Sequence, residues 1–203
     1  MGIQGIILAG GRSRRMGTNK ALLPLDGRTV IEGILREMSK SCEHQVIVSS
    51  EQEIYRFAAV PVIPDLVQDG GPLAGLHAAL LYSEQEWNLV CSCDQPFACH
   101  ALFEVLLQAA EQADETVQAI IPLYKGRVQP LVAVYRKSSA GLLEQSLRLR
   151  QLRVMDWVRK LTVQYVHMED IGLRPGLNPE QALFNMNTPE DYEAALRMAQ
   201  EQR

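Results

Sequence analysis

The chain has 203 residues, 47% of them hydrophobic and 22% charged, with a formal net charge of −4. That is ordinary for one folded unit, read here as a single domain over 1–203, and too acidic for a nucleic-acid binder working through bulk charge. No stretch approaches the run of about 20 apolar residues that a bilayer requires, and the N-terminus lacks a basic segment with a long apolar region behind it, so a cytoplasmic protein with no membrane partner is expected.

In chain order, GIILAG (5–10) reads as a buried strand that stops at a glycine pair, and a polar, basic loop runs from there to Lys20. TVIEGILREMSK (29–40) carries a capping box, Thr29 with Glu32, ahead of apolar residues at helical spacing. QVIVSS (45–50) and VPVI (60–63) are strand candidates, followed by a turn at Pro64 and the pair Gly70-Gly71. Pro72 suits the first position of an apolar helix over 72–83, and NLVCSC (88–93) is another buried strand ending at Asp94.

Beyond Asp94, a helix is expected over 101–112, then strands AIIPLY (119–124) and PLVAVYR (130–136) about the turn KGRV, and a helix over 138–149. A helical piece at 154–160, a strand at 161–168 and an irregular stretch from Asp170 to Ala182 follow. A last helix opens with Thr188 as N-cap, Pro189 first and Glu190 and Asp191 in the first turn. Such alternation implies an α/β, Rossmann-like fold: one mostly parallel sheet with helices on both faces, and a ligand beyond the carboxyl ends of the strands. Those ends carry the LAGG loop, Ser49, Asp65 and Asp94. The four features should converge.

Cys42, Cys91, Cys93 and Cys99 have neither a secretory context nor dense disulfide spacing, and free thiols are expected. CSCDQPFACH suggests a zinc set of Cys91, Cys93, Cys99 and His100, but two cysteines two apart in a strand share one face and suit buried small hydrophobes better than a CxxC knuckle. Of the histidines, His77 in an apolar helix reads as a packed residue, and His44, His100 and His167 form no constellation.

GGRSRRMGTNK concentrates four basic residues and no acidic one. It is not a Walker loop, because Arg15 and Met16 stand where the second glycine belongs, and not a dinucleotide fingerprint, because Gly10 and Gly11 are adjacent. Adjacent glycines allow main-chain N–H groups to approach phosphate oxygens, and Arg14, Arg15 and Lys20 can neutralise a triphosphate. On charge and glycine alone, a solvated loop between strand and helix explains the segment equally well.

The full pattern LAGG-x-S-x-RMG-x-NK, followed in order by VIPDLVQDGGPLAG, CDQP, the QP of RVQPLVAVY and NMNTPED, resembles the molybdenum cofactor guanylyltransferase family over nearly the whole chain. A related LAAG loop occurs in sugar-phosphate and other nucleotidyltransferases. The resemblance implies a fold of the nucleotide-diphospho-sugar transferase type, transfer of GMP from GTP to molybdopterin with release of pyrophosphate, Mg²⁺ as cofactor, and cofactor-delivery proteins as further partners. It implies that Leu8, Ala9, Gly10 and Gly11 contact the nucleotide, that Lys20 with Arg14 and Arg15 contacts the phosphates, and that Asp65 binds the nucleoside. Asp94 would be the magnesium ligand, and Mg²⁺ typically takes one or two carboxylates with waters and phosphate oxygens.

Each of these positions has a plainer explanation. Asp65 follows Pro64 in a turn, Asp94 could cap the helix after Pro96, and Asn185 and Asn187, which match a family NxNTP segment lying by the active site, could equally order the turn before Thr188-Pro189. Ser49 stands where some members have Asn, and Gln129-Pro130 where others have His-Pro, which excludes an imidazole base there. Another triphosphate such as CTP, a sugar-phosphate acceptor, or a non-catalytic nucleotide-binding protein of the same fold are the competing readings.

Overall fold

The computed structural model describes residues 2–10, 18–171 and 174–201. Strand β1 (Ile3–Leu8) is followed by a hairpin of two short strands, β2 (Pro24–Leu25) and β3 (Arg28–Thr29), and by helix α1 (Val30–Met38). Strand β4 (His44–Val48), a 3-10 segment (Gln52–Ala58) and β5 (Val62–Ile63) precede helix α2 (Pro72–Tyr82). Next come β6 (Trp87–Ser92), α3 (His100–Glu111), β7 (Ala119–Tyr124), β8 (Arg127–Val128) and β9 (Val132–Arg136). The last elements are α4 (Ala140–Arg148), α5 (Val154–Val158), β10 (Val163–His167), α6 (Pro179–Ala182) and α7 (Pro189–Gln200).

The main sheet has the order β10-β7-β9-β6-β1-β4-β5, with β8 paired to β7. Along that path β9 alone runs against its neighbours; the pairs β1–β4, β1–β6, β4–β5 and β7–β10 are parallel. This is the mostly parallel sheet expected. The reversal that produces β9 starts in the turn KGRV: Tyr124 pairs with Arg127 across Lys125 and Gly126, whose φ angles are +47° and +71°. Two positive-φ residues in a two-residue loop make a type I′ hairpin, in which glycine avoids the strain of a Cβ.

Alternate residues of the strands feed two cores. Ile7, Ile47, Leu89, Cys91, Ile120 and Val134 pack under α1, α3 and α7; Ile6, Leu8, Val46, Val90, Ile121 and Tyr135 pack under α2, α4 and α5. The period of two along each strand sends neighbours to opposite faces, so both faces are covered and both contribute, at about 1.5–3 kcal/mol per fully buried large apolar side chain. Cys91 and Cys93 fall in the same core, as their spacing requires, and burial raises both thiols well above the usual range. All four cysteines are free.

The helix starts follow their expected chemistry. Thr29 and Glu32 form the capping box of α1, Thr188 and Asp191 that of α7, and Pro72 follows Gly71, whose φ of +60° and ψ of −151° belong to glycine. One expectation and one alternative need correction. The stretch 170–182 contains the four-residue helix α6, capped by Asn178 with Pro179 at its first position; one turn is too short to show periodicity. Asp94 does not cap the helix after Pro96: α3 begins at His100, whose N–H donates to Glu37 Oε2 of α1 at 3.1 Å. No helix among the described residues is long and apolar enough to cross a membrane.

Candidate active site

The parallel register aligns the carboxyl ends of four strands into one rim: Leu8 lies opposite both Val48 and Ser92, and Val48 opposite Ile63. Beyond Leu8 come Ala9, whose N–H donates to Val48 O at 3.0 Å, and Gly10. Beyond Val48 stands Ser49, 2% exposed, its N–H donating to Ile63 O at 2.9 Å and its Oγ accepting from Glu51 N at 3.1 Å. Asp65 lies two residues past β5 and is exposed; Asp94 lies two residues past β6. Three strand spacings of about 4.8 Å separate β5 from β6, so the ends of the strands that lead to Asp65 and Asp94 stand roughly 15 Å apart along the rim. Gly11, Arg14 and Arg15, candidates for the phosphates, lie outside the described residues.

Lys20 arrives at the rim from the far end of the loop. Asn19 Oδ1 accepts from Ala21 N at 3.0 Å and caps the short 3-10 turn Lys20–Leu22. The Lys20 side chain, 12% exposed, donates from Nζ to Asp94 Oδ1 and to Asn187 Oδ1, each at 3.0 Å. Asp94 keeps 35% of its side-chain surface open. Its backbone is fixed on both sides, the N–H donating to Ser92 Oγ at 3.2 Å and the carbonyl accepting from Met186 N at 2.8 Å. That last bond draws the NMNTPED segment against β6.

Asn187 is oriented by Asp191, whose Oδ2 accepts the Asn187 N–H at 2.7 Å and the Thr188 N–H at 2.8 Å. The Asn187 N–H is the main reason the Asp191 carboxyl is held below its ordinary pKa. Asp191 therefore orders the turn, and the Asn187 side chain is left to face Lys20. Asn185 opens a second group. Its Nδ2 donates to Leu183 O at 3.1 Å and to Gln129 Oε1 at 3.2 Å, and its Oδ1 accepts from Gln95 Nε2 at 3.2 Å. Because Leu183 O can only accept, the Asn185 amide orientation is fixed, and Gln129 must turn its oxygen toward Asn185 and its NH₂ away. Gln129 is itself placed by its N–H on Pro122 O at 3.0 Å.

Leu8, Ala9, Gly10, Ser49, Asp65, Lys20, Asp94, Asn187, Asn185 and Gln129 thus all fall on one rim or its flank. His77 is buried in α2, where burial lowers its pKa, and His100 pairs with Ser41 and Glu104 away from the rim. Sequence reasoning missed Gln95, 2% exposed, and Tyr55, fully buried in the 3-10 segment. Gln95 had a weak signal, an amide directly after the acidic residue; the segment holding Tyr55 has no clear period.

The model of the MobA-like NTP transferase domain matches residues 5–165. The chain belongs to the MobA-like NTP transferase family. It is a nucleotidyltransferase with the fold of the nucleotide-diphospho-sugar transferases. A probable molybdenum cofactor guanylyltransferase of Pelotomaculum thermopropionicum is 38% identical over 199 residues, covering 98% of this chain and 94% of the relative. Its counterpart in Carboxydothermus hydrogenoformans is 36% identical, over 95% and 94%. Among solved structures, molybdopterin-guanine dinucleotide biosynthesis protein A from Archaeoglobus fulgidus superposes with a TM-score of 0.83 at 29% identity, covering 98% of this chain and 99% of that one.

Proposed function

We propose that this protein transfers GMP from GTP to molybdopterin, releasing pyrophosphate, with Mg²⁺ held at Asp94. The observation that carries the reading is the meeting of Lys20, Asp94 and Asn187 at the end of the family loop. The names of relatives matched over almost their full length support guanine and the pterin acceptor. The rim distance of roughly 15 Å suits an extended nucleotide, with its nucleoside toward Ser49 and Asp65 and its phosphates toward Lys20 and Asp94.

The donor chemistry at Asp94 fits magnesium: a carboxylate that keeps 35% of its side-chain surface open, beside the amide oxygen of Asn187, to which waters and phosphate oxygens would add the remaining ligands. Bound there, the ion would neutralise charge on the phosphate oxygens. Lys20 holds its ammonium at the same point and offers it to the triphosphate. Main-chain groups of Ala9 and Gly10 line the approach. A phosphate oxygen of the acceptor attacks the α-phosphorus in line, a new P–O bond forms, the α–β bridging bond breaks, and pyrophosphate leaves with that electron pair. Since phosphate oxygens are both nucleophile and leaving group, the protein needs to supply position and positive charge, and no side-chain nucleophile. Gln129, its NH₂ turned away from Asn185, offers donors to the acceptor side.

A cytoplasmic setting is supported by the four free cysteines, since reducing conditions keep thiols free. The test is to incubate the purified protein with Mg²⁺, molybdopterin and each of the four common triphosphates separately, and to measure pyrophosphate. Release with GTP well above the others supports the reading. Release with CTP alone, or with a sugar phosphate in place of the pterin, would replace it with the neighbouring nucleotidyltransferase chemistry, and GTP binding without turnover would make the protein a sensor.

A further inference from the structure

We infer that Tyr55 is a positioning residue for the nucleotide, its hydroxyl tying together the two ends of the loop that runs from Ala9 to Asn19. Its ring is fully buried in the core that contains Ile7 and Ile47, so the side chain cannot swing away. Asn19 Nδ2 donates to Tyr55 Oη at 2.9 Å, and Oη lies 3.3 Å from Ala9 O. Oη lies equally far from Asn19 Oδ1, which also accepts the Ala21 N–H. An amide oxygen has two lone pairs, so the hydroxyl proton has both Asn19 Oδ1 and the Ala9 carbonyl as acceptors, and Tyr55 bridges the two loop ends. Burial pushes the phenol up to about 12, which keeps it a donor at neutral pH.

The geometry gives this link a purpose beyond packing. Ala9 continues β1 and is held by Val48; Asn19 caps the turn that launches Lys20 toward Asp94. One buried hydroxyl thus sets the span between the strand end that lies against the nucleotide and the lysine that meets its phosphates. Tyr55 also follows Ser49 on the connection from β4 to β5, so the nucleoside end of the rim and both loop ends share one anchor. Without the tie, a triphosphate must itself order the loop ends, and the cost appears as weaker binding.

The inference rests on the reading that this loop takes a nucleoside triphosphate, and the test separates the two. GTP affinity with Mg²⁺ is measured by calorimetry for the wild type, Tyr55→Phe, Asn19→Ala and the double variant, with the melting temperature of each and the KM of the wild type and Tyr55→Phe for the pterin acceptor. Tyr55→Phe keeps the ring and is expected to bind GTP about tenfold more weakly, with the acceptor KM within twofold and the melting temperature within a few degrees. In the Asn19→Ala background the same change should add less than twofold, because the link is already cut. Unchanged GTP affinity in Tyr55→Phe, with or without a loss of stability, overturns the inference, as do two fully additive effects. A wild type that binds no triphosphate removes the nucleotide reading itself, and this inference with it.

Discussion

Replacing Asp94 by Asn separates charge from shape at the centre of the site. The amide keeps an oxygen for Lys20 Nζ, and the bonds made by the Asp94 backbone to Ser92 and Met186 are untouched. What disappears is one negative charge, 35% exposed and facing an ammonium at 3.0 Å. An ion pair this open is screened, so its loss costs stability about 1 kcal/mol or less, a shift of roughly 2–4 °C for a chain of this size. The chemical step should suffer far more. Removing a group that organises positive charge on the transferring phosphate costs about 100-fold or more, some 2.7 kcal/mol of barrier. The assay is pyrophosphate release at saturating GTP and acceptor, beside a thermal melt of the same preparation. A melt shifted by only a few degrees with turnover down by about two orders of magnitude is expected; near-normal turnover would refute the assignment of Asp94 to the reaction.

Two further variants probe the flank. Gln95→Leu deletes an amide whose Oε1 is buried without a partner among the described residues; the lost bond to Asn185 and the removed orphan each count for about 1 kcal/mol in opposite directions, so stability should hardly move. With Asn185 Oδ1 released and only Leu183 and Gln129 left to hold its amide, the acceptor KM should rise several-fold while the GTP KM stays put, and a change confined to GTP would show that the amide chain serves the other substrate. Asp191→Asn should lower stability at pH 7 by about 1 kcal/mol, the usual cost of a lost cap. The Asp191 carboxyl is held below its ordinary value in the folded state, so its contribution is complete above the unfolded pKa of about 3.9 and fades as pH falls through the folded one. The melting difference from wild type should therefore shrink below about pH 4, and a difference that grows there would contradict the bond to Asn187 and Thr188.

The fold was legible where pattern and caps agree. Thr29 with Glu32, Gly71 with Pro72 and Thr188 with Pro189 each mark a helix start that local chemistry decides, and the buried strand NLVCSC announces where Asp94 must emerge. The rim could be foreseen because parallel strands end on one side. The contacts across it could not. Lys20 and Asn187 are separated by 167 positions and meet through a single hydrogen bond that only the tertiary fold creates. Tyr55 was silent for another reason: its 3-10 segment has no period to read, and its role rests on a hydroxyl whose partners lie on either side of a loop it does not belong to. The helix-cap explanation of Asp94 failed because the first N–H of α3 is taken by Glu37 of α1, 63 positions earlier in the sequence.

The most direct test of the account follows the label of the triphosphate. With GTP labelled at the α-phosphorus, Mg²⁺ and molybdopterin, the label should pass to the pterin product in step with pyrophosphate release, whereas label at the γ-phosphorus should leave entirely in pyrophosphate. Label arriving on the pterin from the γ-position, or free GMP forming with no labelled pterin, would contradict guanylyl transfer at this site.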